Sequence, residues 1–190
     1  MLKKYVSSIH KSTKRNYLER VVSVDKASVA KKAIKWGYDY WDGSRDTGYG
    51  GYRYDGRWKK LAKILIKEYK IKSKMKILDI GCGKGFLLHD LLNEIPDLDV
   101  YGVDVSEYAL KKAMPTIKKK CKKGNAKKLP YKSNYFDLVI SINTLHNLYN
   151  YELNDSLREI NRVSKKNSFI CVEAYRNEKE KVNLMYWQLT

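Results

Sequence analysis

Asp79-x-Gly81-x-Gly83-x-Gly85 is the stretch of this 190-residue sequence best built to hold a ligand. Alternate glycines let the backbone turn sharply and approach a bound molecule. A helix starting just behind them adds free N–H groups and a positive dipole end. A second carboxylate, Asp104, follows the run Val100-Tyr101-Gly102-Val103. A carboxylate in that place can accept from both vicinal hydroxyls of a ribose. Proton transfer calls for another kind of group: His146 is the best candidate base by type and position, and Glu173 is the second. Tyr49, Tyr52 and Tyr54 offer flat faces with hydroxyl handles, and Arg57, with Arg45 and Arg53, can hold an anionic group.

These groups need elements to position them. Ile77-Leu78 with Ile80 reads as a short buried strand, and the apolar spacing from Phe86 to Leu92 reads as a helix. Strand, glycine turn and helix together open an α/β nucleotide-type site. A dinucleotide fingerprint, G-x-G-x-x-G, is not met, because Phe86 stands in the sixth place. Asp99 to Asp104 reads as a second strand and Ser106 as the cap of the helix after it. A third strand is expected within Ile117 to Lys123. Phe136 to Ser141 reads as a buried fourth strand and Ser168 to Val172 as a fifth. Between the last two, a helix over Glu152 to Val163 presents Leu153, Leu157, Ile160 and Val163 on one face.

Ahead of this core, residues 1–22 read as a weak helix. Asp25 caps a helix running through Trp36 to Gly37, and Trp58 to Tyr69 forms one that leads into the first strand. Between them lies a run of aromatics, glycines, Asp and Arg, residues 38–58, in which no helix or strand period fits. A loop of that length is uncommon without a function, and a substrate-gripping lid is expected. The predicted division is 1–58 for the helical extension and lid, and 59–190 for the core.

With 43% hydrophobic residues the chain can bury one real core. The net charge of +18 would ordinarily suggest a nucleic-acid partner. The cations are mostly Lys rather than the Arg that base and phosphate readers favour, so nucleic acid is disfavoured without being excluded. Ten lysines and no acid lie between Lys111 and Lys132, which reads as a solvated face before a polyanion patch. Three cysteines without close pairing imply neither a metal site nor a disulfide framework. No run approaches membrane-spanning length, and a cytoplasmic protein without membrane insertion is expected.

The stretch from Asp79 to Gly85 closely resembles motif I of the class I S-adenosylmethionine-dependent methyltransferases, and the resemblance runs to about Glu173. It implies a Rossmann-like, doubly wound, mostly parallel sheet with helices on both faces, and S-adenosylmethionine as cofactor. On that resemblance Asp79, Gly81, Cys82 and Gly83 form the cofactor turn, Asp104 takes the ribose and Val105 flanks the adenine. Gly124-Asn125-Ala126 is similar to the family's third cofactor motif, commonly Asp-Ala. An amide at Asn125 can still accept from the adenine amino group and donate to a ring nitrogen. Phe136-Asp137-Leu138-Val139 resembles the family's F-D-x-V strand, and Asn143 follows it where open α/β sheets place ligands. The aromatic run resembles the segment that covers the cofactor in a subgroup of small-molecule methyltransferases.

No Asn/Asp-Pro-Pro-Tyr and no Pro-Cys pair is present, which argues against methylation of adenine or glutamine amino groups and of cytosine C5. What remains is O-, N- or C-methylation of a small polar acceptor, such as a sugar or nucleotide-linked metabolite. The alternatives are an RNA methyltransferase using the lysine face and a non-catalytic S-adenosylmethionine-binding protein. Family members usually carry a further helix and an antiparallel strand pair beyond the fifth strand, so an open sheet edge and a homodimer are expected.

Overall fold

The computed structural model describes residues 5–6, 25–173, 175 and 177–189. In chain order its helices and strands are α1 (Lys26–Ala33), α2 (Tyr38–Trp41), α3 (Lys59–Tyr69), β1 (Lys76–Ile80), α4 (Phe86–Glu94), β2 (Asp99–Asp104), α5 (Glu107–Lys111), β3 (Cys121–Lys123), β4 (Phe136–Ile142), α6 (Asn150–Val163), β5 (Ser164–Cys171) and α7 (Glu178–Leu189). They fall into two units: residues 5–6 with 54–172, and 25–53 with 173–189. The helix expected over residues 1–22 lies, apart from Tyr5 and Val6, outside the described residues.

The larger unit is built on one sheet of order β3-β2-β1-β4-β5, parallel at every pairing. Alternation along the strands divides its apolar residues between two faces. Ile77, Val100, Leu138 and Ile140 meet Leu61, Ala62 and Leu65 of α3 and Leu87, Leu88 and Leu91 of α4 on one side. Leu78, Ile80, Val103 and Val139 meet Ile160 and Val163 of α6 on the other. A sheet covered on both faces reads as continuous apolar runs, which is why β1 and β4 were visible from composition.

Several boundaries differ from the sequence reading, each for a local reason. The third strand is shorter than expected, because Lys118–Lys120 form a 3-10 turn and pairing begins only at Cys121. Ile117, expected in that strand, is instead fully buried in the core. β5 begins at Ser164 rather than Ser168, and its first half is polar because this end strand leaves Lys165 and Lys166 in solvent. On α6 the buried stripe is Ser156, Ile160 and Val163, with Leu153 packed beside it, while Leu157 is exposed. Ser156 can face the core because its hydroxyl donates to the Glu152 carbonyl at 2.8 Å.

In the smaller unit Asp25 caps α1 as expected, accepting from the Ala27 N–H at 3.1 Å. The helix stops at Ala33 instead of reaching Trp36, which takes a left-handed φ of 50°. The aromatic run also contains a helical turn, α2, where none was expected. Its rings pack on one another: Trp41 stacks on Tyr49 at 5.4 Å, and Tyr49 lies 4.5 Å from Tyr52. Among the described residues no helix is long and apolar enough to cross a membrane.

Candidate functional site

Parallel strands present their carboxyl ends at one edge of the sheet, and the glycine turn begins there. Ile80, the last residue of β1, is paired with Val103 on one side and Ser141 on the other. Gly81 therefore emerges between β2 and β4, and its N–H donates to the Val103 carbonyl at 2.7 Å. Gly81, Gly83 and Gly85 have φ of 78°, 55° and 74°, in the left-handed region that side-chained residues avoid. A Cβ on Gly81 would lie 1.9 Å from Thr144 Oγ1, so the turn runs tightly against the loop after β4.

Asp104 closes the turn from the β2 side. One of its carboxylate oxygens accepts the Gly83 N–H at 2.7 Å and the other accepts the Ser106 N–H at 2.8 Å. The Val105 N–H also bonds this carboxylate, and the acceptor capacity that remains can take a ligand hydroxyl. Asp79 is 5% exposed and Asp104 7%. Burial raises the carboxyl of Asp104 above its ordinary value, against the backbone N–H groups that lower it. Asp79 is pushed up to about 7, by burial first and then by the Asp104 charge. Two buried carboxylates close enough to act on one another favour a positively charged guest. A ligand that joins a sulfonium and an ammonium group to a ribose matches both the charge and the hydroxyl acceptors, so the residues present fit S-adenosylmethionine.

The other expected contacts surround this pair. Cys82 is buried within the turn, and its thiol is pushed well up by a hydrogen bond with the Cys121 thiol and by burial. Val105 is 45% exposed beyond the end of β2, an apolar side chain left uncovered beside Asp104. Asn125 is exposed, and its side-chain oxygen accepts the Lys127 N–H at 3.0 Å; Ala126 is buried. Asn143 has a left-handed φ of 51° and donates its N–H to the Cys171 carbonyl at 2.9 Å. His146 is half-buried in the 3-10 turn Leu145–Asn147 that follows β4.

The lid residues are distributed differently. Tyr49 and Tyr52 belong to the smaller unit, in its aromatic cluster. Tyr54 and Arg57 belong to the larger one. The Tyr54 hydroxyl donates to Asp90 of α4 at 2.5 Å, and its ring packs on Phe86 and His89. Arg57 is paired with Asp55. Glu173 is exposed and falls with the smaller unit.

Composition gave no sign of two supports. Thr144 packs under Gly81, with its hydroxyl donating to the Ile142 carbonyl at 3.1 Å. Arg162 of α6 donates to the Glu159 carboxylate and to the carbonyls of Leu129 and Tyr131, while Glu159 accepts the Leu129 N–H at 2.6 Å. This clamp fixes the loop that continues from Asn125 and Ala126. Arg162→Ala is expected to cost about 1–2 kcal/mol, a fall of roughly 2–8 °C in thermal melting. It is also expected to weaken cofactor binding several-fold. Lys at this position should not rescue, because one ammonium cannot reproduce the planar fork.

Among the described residues no group of three or more His, Cys, Asp or Glu is placed to hold a metal ion. In comparisons with known proteins, a family described as a methyltransferase domain matches residues 71–188. The ribosomal RNA small subunit methyltransferase C of Buchnera aphidicola is 37% identical over 92 residues, which are 45% of this chain and 26% of that protein. The malonyl-[acyl-carrier protein] O-methyltransferase of Legionella pneumophila is 34% identical over 92 residues, 46% of this chain and 32% of that one. A Methanococcus maripaludis protein, assigned as an S-adenosyl-L-methionine-dependent methyltransferase, superposes with a TM-score of 0.53 at 20% identity. The superposition covers 70% of this chain and 62% of that one. The chain spans about half the length of the curated relatives it matches. The family match covers the whole sheet and both arms of the glycine turn, and on it the chain belongs to the class I S-adenosylmethionine-dependent methyltransferases.

Proposed function

We propose that this chain binds S-adenosylmethionine at the carboxyl ends of β1, β2 and β4 and transfers its methyl group to a small polar acceptor, a sugar or nucleotide-linked metabolite. The observation that carries the reading is the pair of buried carboxylates, Asp79 and Asp104, closed over by a glycine turn. The cofactor supplies an electrophilic methyl group on a sulfonium. The chain's part is to hold and orient. Asp104 accepts from the ribose, the 81–83 backbone lines the amino-acid end, and Val105, Asn125 and Ala126 border the base, with Asn143 at the end of β4. Positioning in a dry pocket supplies most of the acceleration of a direct displacement.

A base is needed only where the acceptor must lose a proton; we take His146, in the turn after β4, as the first candidate and Glu173 as the second. Tyr49, Tyr52, Tyr54 and Arg57 enter the same proposal as lid residues; in the fold Arg57 is paired to Asp55, Tyr54 is bonded to Asp90 and Arg45 donates to the Tyr49 carbonyl. Self-association as a homodimer belongs to the same proposal and is supported by the position of β5 as the last strand of the sheet.

A second reading takes RNA as the acceptor. It is favoured by two exposed, stacked tyrosines, Tyr149 and Tyr151, beside a lysine-rich loop, and by a relative whose name places it on ribosomal RNA. The experiment pairs calorimetry of S-adenosylmethionine against NAD with transfer of labelled methyl groups to metabolite and RNA pools. Binding of S-adenosylmethionine alone, with label in the metabolite pool, is expected. Binding of NAD instead would overturn the cofactor assignment, and binding without transfer to either pool would leave a non-catalytic binder. His146→Ala is expected to lower transfer at least tenfold while leaving cofactor affinity unchanged. An unchanged rate removes His146 as the base.

A further inference from the structure

Tyr149 and Tyr151 are 71% and 68% exposed, yet their rings lie nearly parallel, 9° apart with centroids at 5.8 Å. Large aromatic rings left in water in an ordered stack contribute little to the core and remain available to a planar guest. They flank the first residue of α6, directly after the turn that carries His146. The Glu152 carboxylate joins this platform to the proposed adenine loop: it accepts the Tyr149 N–H at 3.3 Å and pairs with Lys127 Nζ at 2.5 Å.

The same loop and the strand before it are rich in cations. Lys122, Lys123 and Lys128 are exposed, Lys123 is paired with Glu107, and Lys128 acts on the Glu159 carboxylate of α6. The whole chain carries 39 basic and 21 acidic residues. Flat aromatic faces beside a cationic rim suit an extended polyanion whose bases are free to stack.

We infer that Tyr149 and Tyr151, with Lys127 and Lys128 of the neighbouring loop, form a docking surface for single-stranded RNA. The inference rests on the second acceptor reading above and adds to it the location and strand state of the RNA. A duplex cannot offer its base faces, because they are already stacked on one another. An acidic peptide would satisfy the lysines and leave the rings without a role. A lone nucleotide on so open a platform gains only one stack, roughly 1–3 kcal/mol, and a strand adds the phosphate contacts that hold it there.

The test is fluorescence anisotropy of the full chain, without cofactor, against a labelled single-stranded RNA of about twelve nucleotides. A duplex of the same length and uridine monophosphate serve as competitors, and salt is varied. The single strand is expected to bind at least tenfold tighter than either competitor, with log K falling by roughly 0.7 per neutralised phosphate against log salt. Tyr149→Ala with Tyr151→Ala is expected to weaken binding about tenfold or more without changing the salt slope. The corresponding Phe variants keep the rings and the affinity. Lys128→Ala should reduce the slope by about 0.7. Equal binding of duplex, equal binding of the mononucleotide, or unchanged affinity in the double Ala variant overturns the proposal. Because cofactor is absent throughout, failure here leaves the methyl-transfer reading standing. Loss of transfer with RNA binding intact does the reverse.

Discussion

Gly81→Val is expected to abolish measurable cofactor binding and to lower the melting temperature as well. The backbone at this position has φ of 78°, and a side-chained residue there costs roughly 1–2 kcal/mol before any contact is counted. A β-branched residue fares worse, because its two γ carbons crowd the backbone in that conformation. The overlap costs more than the strain: the added Cβ would sit 1.9 Å from Thr144 Oγ1 and 2.6 Å from Thr144 Cγ2. Either the loop after β4 moves away or the turn moves into the space reserved for the ligand, and both displace groups that the site needs. A double-variant comparison separates the two costs. Gly81→Ala alone should lose most of the affinity. Adding Thr144→Gly removes the overlap but not the backbone strain, so it should recover part of the affinity and never all of it. Calorimetry and thermal melting on the four proteins check this, and full binding by Gly81→Val would show that the turn is not the ligand's seat.

The sequence showed that turn because three glycines in alternate places have few other uses, and the strands β1, β2 and β4 because burial on both faces demands apolar runs. The same logic hid β5. Its outer half is solvated, so Lys165, Lys166 and Asn167 carry no strand signal, and only the pairing of Leu138 with Asn167 and its neighbours shows that they extend the sheet. Leu157 misled for the opposite reason. It fits the helical spacing, yet the stripe turns toward Ser156, whose polar group is satisfied by its own helix. Thr144 and the Arg162–Glu159 clamp were illegible for a third reason. Their importance lies in what touches them across 63 and 33 positions of chain, a property of the folded sheet order and not of any local pattern. Residue type alone likewise did not show that Arg57 pairs with Asp55, two positions earlier.

Asp104→Ala is expected to weaken S-adenosylmethionine binding by roughly 1–3 kcal/mol, about 5- to 150-fold. It removes the ribose acceptor and also strands the N–H groups of Gly83 and Ser106. Asp104→Asn separates these effects: its one amide oxygen can keep one of those N–H groups satisfied, so the fold suffers less while the charge is still lost. The charge has a further consequence through Asp79, whose carboxyl is held at about 7, partly by Asp104, against 3.8 for the free side chain. Between those two values the folded chain holds a proton that the unfolded chain has released, so stability falls as pH rises from about 4 to about 7. Above that both states are ionised at Asp79 and this contribution levels off. Cofactor-free protein should therefore melt several degrees lower at pH 8 than at pH 5.5. Asp79→Asn should flatten the slope most, and Asp104→Asn should flatten it in part by removing the neighbouring charge. Saturating cofactor should flatten it too, because a bound cation favours the ionised pair. Melting curves across pH, with and without S-adenosylmethionine, read all three. A slope that survives Asp79→Asn unchanged would mean that the buried carboxylate is not what titrates, and an Asp104→Ala variant with undiminished affinity would remove the ribose from its side chain.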